Sequence, residues 1–233
     1  MRRVRFLSLI GGVLVFTSVA FGQTVYNMKL TGTGDNAIAD GVYVSPYTGT
    51  ISGPGYSYSG AMICDDFTTD SYVGQTWQAT ATLASSGSGK FAGESYTVAG
   101  LNGNTPFTSQ QMYNAVAWLA NQLMTGSNTT NTTAQANYSF AIWDIMDGQK
   151  TDPDGGALAL ITTAFQNVLA GYAGNNVEVF TSYPTTGISQ EFLVVNGPPI
   201  STPEPTAAAL LGFDLLSVFG LVFLLRRRFA RMA

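Results

Sequence analysis

Thr108-Ser-Gln-Gln-Met-Tyr-Asn-Ala-Val-Ala-Trp-Leu-Ala-Asn-Gln-Leu-Met-Thr-Gly126 is where the chain changes its period. Met112, Val116, Leu119 and Leu123 recur at helical spacing and share one face. Thr108 or Ser109 is suited to cap that helix, and Gly126 to end it. Two further helices are expected. One covers 134–146, with Tyr138, Ala141, Ile142 and Ile145 turned inward. The other opens on Asp152 as cap and Pro153 at its first position, with Leu158, Ile161, Phe165 and Val168 on one face. Gly171 and Gly174 are its stops.

On both sides of this helical stretch the signals are those of strands. Residues 25–30, 41–45, 56–58, 61–63 and 76–80 alternate or are rich in β-formers, as are 177–182 and 190–195. Ser52-Gly-Pro-Gly55 and Ser85-Ser-Gly-Ser-Gly89 separate them. The expected fold class is α+β: a β-rich barrel or sandwich ectodomain, 23–196, with a helical insert.

The 233 residues are 45% apolar and only 10% charged, against roughly a quarter charged in ordinary globular chains. There is no histidine, which excludes Ser-His-Asp and Cys-His catalysis and His-ligated metals. The one cysteine excludes an intrachain disulfide and multi-cysteine clusters. Seven of the ten basic residues lie at the two ends: Arg2, Arg3, Arg5, Arg226, Arg227, Arg228 and Arg231. Between Gln23 and Thr202 stand twelve acidic residues against Lys29, Lys90 and Lys150, a net charge near −9. Such a body cannot neutralise a phosphate backbone, so nucleic acid is not an expected partner.

Both ends read as addresses. Residues 1–22 join three arginines to an apolar run and close on Ala20-Phe21-Gly22, the pattern of a signal peptide cleaved before Gln23. Residues 197–206 form a Pro-rich linker. Residues 207–225 are apolar enough, despite Asp214, for a single C-terminal transmembrane helix, and 226–233 make a basic cytoplasmic tail. This topology puts the body outside the cytoplasm. It would stay membrane-anchored at first, then be at the cell surface or extracellular. Pro203-Glu204-Pro205, the apolar helix and Arg226, Arg227 and Arg228 together resemble the PEP-CTERM sorting signal. The resemblance implies an exosortase-type membrane transpeptidase as partner, cleavage near Pro-Glu-Pro, and export toward an extracellular polysaccharide layer. An ordinary anchor would share the topology but keep its tail.

The body carries Ile63-Cys64-Asp65-Asp66-Phe67 and Phe140-Ala-Ile-Trp-Asp144. Their order is distantly similar to the Cys–Gln thioester domains of bacterial surface adhesins. The resemblance puts Cys64 at the thiol position, Asp66 at the acidic position and Ala141-Ile142-Trp143 in the second motif. The Gln position falls on Ser139, which cannot supply an acyl carbon. Gln135 is four residues away and Gln149 lies beyond the motif. The expectation is that the fold is kept without the bond. Cys64 then reads as a lone, half-buried small hydrophobe, with a reactive thiol as the alternative.

Asp65, Asp66 and Asp70 form a solvated turn or a weak Ca²⁺ site, and Asp152 and Asp154 a second acidic loop with the same two readings. None of the four glutamates stands in a catalytic motif. No enzyme and no cofactor are expected. Tyr43, Tyr47, Tyr56, Tyr58 and Tyr72 are the aromatic candidates for a glycan- or protein-binding surface.

Overall fold

The computed structural model describes residues 23–148, 155–184 and 189–200. The signal peptide, Pro203-Glu204-Pro205, the C-terminal helix, Arg226–Arg228, Gln149, Asp152 and Asp154 lie outside the described residues.

Strand β1 (Val25–Gly32) shows how the barrel is built. Tyr26, Met28 and Leu30 are buried while Asn27, Lys29 and Thr31 are exposed, a strict alternation of period two. Next come a small hairpin, β2 (Ile38–Ala39) and β3 (Val42–Tyr43), and the long strands β4 (Tyr47–Gly53), β5 (Tyr56–Cys64) and β6 (Thr76–Leu83). A second small hairpin, β7 (Ser95–Tyr96) and β8 (Phe107–Thr108), leads into α1 (Ser109–Leu123), α2 (Thr132–Met146) and α3 (Gly155–Leu169). The chain returns through β9 (Val177–Tyr183) and β10 (Phe192–Val195). β1, β4, β5, β10, β9 and β6 close in that order into a barrel, each neighbouring pair antiparallel. Closure removes the unpaired edges that a sandwich would leave, so the barrel is the form taken by the strands that the sequence left between two architectures.

Three expectations are corrected. Residues 41–45 hold only the two-residue β3, and the long strand is β4, which begins just after Pro46. Residues 56–63 are one strand, not two: Gly60 of β5 pairs with Gly49 of β4. A Cβ on Gly49 would sit 2.2 Å from Met62 Cε, so glycine there lets β5 pack close. In α3, Ile161, Phe165 and Val168 are buried as expected, but Leu158 is 52% exposed.

Inside the barrel Tyr26, Tyr56 and Phe180 pack edge to face, with centroids 5.4–5.7 Å apart. Phe192 meets Trp77 and Tyr47 nearer the other end. α1 packs against β10, and β9 and β10 are buried along nearly their whole length. Thr108 caps α1 in a reciprocal box with Gln111. Asn131 caps α2, its Oδ1 accepting from the Ala134 N–H at 3.0 Å. Among the described residues no helix is long and apolar enough to cross a membrane.

Candidate functional site

Cys64 ends β5 where the barrel meets the helices, and it is fully buried. Its N–H donates to Ser45 Oγ at 3.1 Å, and the Ser45 N–H donates to Ser139 Oγ at 2.9 Å. Ser45 therefore bridges the thiol residue and the serine of α2. Trp143 Nε1 donates to the Cys64 carbonyl at 2.9 Å, and Cys64 Sγ donates to the Asp66 carbonyl at 3.3 Å. Burial pushes the thiol well above its ordinary range. Such a thiol is a poor nucleophile.

Of the glutamines weighed from sequence, Gln135 is committed elsewhere. Its Nε2 donates to both Asp35 carboxylate oxygens at 3.1 Å and to the Thr129 carbonyl at 2.6 Å. Gln190, which stands in no motif, does approach Cys64. Its Nε2 donates to the Asp66 carbonyl at 2.9 Å, the same oxygen that the thiol uses. Only the pairing of β10 with β5 brings it there.

The acidic turn is not solvated. Asp65 and Asp66 have no exposed surface, whereas Asp70 is exposed. Burial raises Asp65 well above the carboxylate range, and the charges of Glu191 and Asp66 raise it further. Neither of its oxygens meets a donor, so the group is satisfied as a neutral acid that donates its proton to Glu191. Glu191 accepts from Tyr113 Oη at 2.6 Å, from the Lys90 N–H at 2.7 Å and from Thr181 Oγ1. Asp147, raised by burial, accepts from the Phe67 N–H at 2.9 Å. Among the described residues no group of three or more ligating side chains is placed to hold a metal ion.

Above this buried layer lies an open cleft of about 580 Å³. Tyr43, Tyr47, Phe67, Tyr72, Val73 and Trp143 line it, with Asp70 and Gln190 at its polar edge. Tyr72 is 68% exposed, Val73 57%, Tyr43 44% and Phe67 39%. Of the five tyrosines singled out from sequence, Tyr43 and Tyr72 are exposed here and Tyr47 forms part of the wall. Tyr56 is buried in the barrel against Glu178, and Tyr58 is half-buried with its hydroxyl on the Ala61 carbonyl at 2.6 Å. Val73 carried no signal in the sequence beyond being apolar, and Phe67 none beyond closing the Ile63–Phe67 segment.

No protein-family model matches the chain, and no curated protein matches it. Among solved structures, the N-terminal thioester domain of a surface protein from Clostridium perfringens matches at a TM-score of 0.44 and 12% identity, over 74% of this chain and 98% of that one.

Proposed function

We propose that this chain is an exported, non-catalytic surface or matrix protein. Its barrel-and-helix body binds a partner through the aromatic cleft, and residues 203–228 act as a PEP-CTERM sorting signal read by an exosortase-type transpeptidase. The observation that carries the binding role is the set of four exposed apolar side chains around one cleft, Tyr43, Phe67, Tyr72 and Val73. Grouped exposure of this kind marks interaction sites. Tyrosine faces suit sugar rings, and Asp70 and the Gln190 carbonyl can accept hydroxyl groups. The net charge near −9 between Gln23 and Thr202 disfavours polyanionic partners. The buried thiol with a raised titration point favours a non-catalytic reading.

Two measurements test this. C-terminal peptide mapping of protein from the native host is expected to end near Glu204; an intact arginine-rich end would leave an ordinary anchor. Binding of the ectodomain to neutral extracellular polysaccharide is expected to fall on the order of tenfold in Tyr72→Ala, the effect of removing about 1.4 kcal/mol of contact. Equal binding by the variant would sink the cleft as the site.

A covalent adhesin acting through Cys64 is the other reading, favoured by the approach of Gln190 to the same carbonyl as the thiol. A thioester lightens the chain by one ammonia and then takes up one methylamine. Gln23, if freed by cleavage after Gly22, loses ammonia on its own by cyclising. Methylamine uptake, rather than the mass deficit, therefore decides; no uptake is expected.

A further inference from the structure

Lys90, between β6 and β7, and Asp66, just after β5, are held together by contacts other than their own charges. The Lys90 N–H donates to Glu191 Oε2 at 2.7 Å, and the Asp66 carbonyl accepts from Gln190 Nε2 at 2.9 Å. Both backbones are thus fixed to the start of β10. Lys90 Nζ lies 2.5 Å from Asp66 Oδ2 and donates to Thr69 Oγ1 at 2.7 Å. The Asp66 side chain has no exposed surface, that of Lys90 is 30% exposed, and the Phe91 ring lies 5.3 Å from the ammonium. Asp66 Oδ1 accepts from Thr68 Oγ1 at 3.2 Å. Asp147, whose Oδ2 accepts from the Phe67 N–H at 2.9 Å and whose Oδ1 is buried without a donor, neighbours Thr68.

We infer that Lys90 and Asp66 condense into an intramolecular isopeptide bond. The nitrogen attacks Asp66 Cγ, the Nζ–Cγ bond forms and the Cγ–Oδ1 bond breaks. The ammonium gives up two protons, and Oδ1 leaves with them as water. One positive and one negative charge disappear together, and no oxidant, reductant or helper molecule is needed. Three features favour the step. The fully buried Asp66 carboxylate has lost its hydration, a loss that the neutral amide does not suffer. Groups held in contact react at a high effective concentration. Thr68 Oγ1 donates to the departing oxygen, and neighbouring Asp147 is a carboxyl whose neutral acid form burial favours. The bond spans 24 positions and encloses Phe67–Val73, so it staples one wall of the cleft. It is independent of what the cleft binds.

The test is a tryptic digest of the denatured full ectodomain. Lysines stand at 29, 90 and 150, with no arginine between them. A chain without the bond yields peptides 30–90 and 91–150 at full mass. The bonded chain has no free amine at Lys90 and yields 30–150, lighter by one water, with fragment ions joining positions 66 and 90. Lys90→Arg keeps the positive charge but not the amine, and is expected to give two separate full-mass peptides and a lower melting temperature. Wild-type protein that yields the separate peptides at full mass would overturn the inference and leave an ion pair.

Discussion

Asp65 shows how burial turns a charged side chain into a neutral one. Folded, it binds its proton more tightly than in the unfolded chain, because burial and the facing Glu191 disfavour its charge. The native state therefore carries the extra proton from about pH 4, the ordinary carboxylate value, up to the raised one. Stability is full below that window and falls as pH rises through it, by up to about 1.4 kcal/mol per pH unit for one proton. Asp147 and Glu178 are raised by burial too and act with the same sign. Asp65→Asn keeps a donor for Glu191 and has no proton to lose. Its melting temperature should gain on wild type as pH rises above the ordinary carboxylate value of about 4; parallel curves would show that Asp65 titrates alike in both states. Trp143 offers a second residue-scale check. Trp143→Phe leaves the Cys64 carbonyl without the indole N–H that it accepts, and denaturant unfolding should show a loss of about 1–3 kcal/mol.

At the scale of elements, close packing in the barrel depends on one small residue and the first helix on one cap. Gly49→Ala would put a methyl group against Met62 Cε, Met62 Sδ and the Lys29 carbonyl at 2.2–2.8 Å. The expected destabilisation is about 1–3 kcal/mol, read as a lower urea midpoint; an unchanged midpoint would mean that Met62 swings away freely. Thr108→Ala removes the hydroxyl that accepts from the Gln111 N–H, while the backbone N–H at 108 still donates to the Gln111 side chain, and it should lose about 1 kcal/mol. α1 was legible because a 3.6-residue apolar stripe and a capping residue are local properties. β4 was not. Tyr47-Thr-Gly-Thr-Ile-Ser-Gly53 contains two glycines and few large apolar residues, and it becomes a strand because β1 and β5 pair with it on both sides.

Across the whole molecule, the barrel mouth is where distant segments meet. Leu30, Tyr47, Phe67, Trp143 and Gln190 all line one cleft. Barrel and helices share their buried layer, since α1 supplies Tyr113 to Glu191 and α2 supplies Trp143 to Cys64. A protein of residues 23–202 should therefore unfold in one transition by calorimetry, and two transitions would mean that the halves fold separately.

The sequence alone determined what depends on neighbours in the chain: the apolar stripe and cap of α1, the alternation of β1 and the acidic composition of 23–202. Cys64 and Ser139 are far apart in the chain, and only the fold links them, through Ser45. Tertiary structure decided the rest. An acidic pair next to Thr68, Thr69 and Asp70 reads as a hydrated turn, because hydration is the default for charges whose surroundings are unknown. Burial of Asp65 and Asp66 follows only when β10 closes the barrel and brings Glu191 and Gln190 beside them. Burial and the partners that make it tolerable are set by long-range pairing, and no local pattern encodes them.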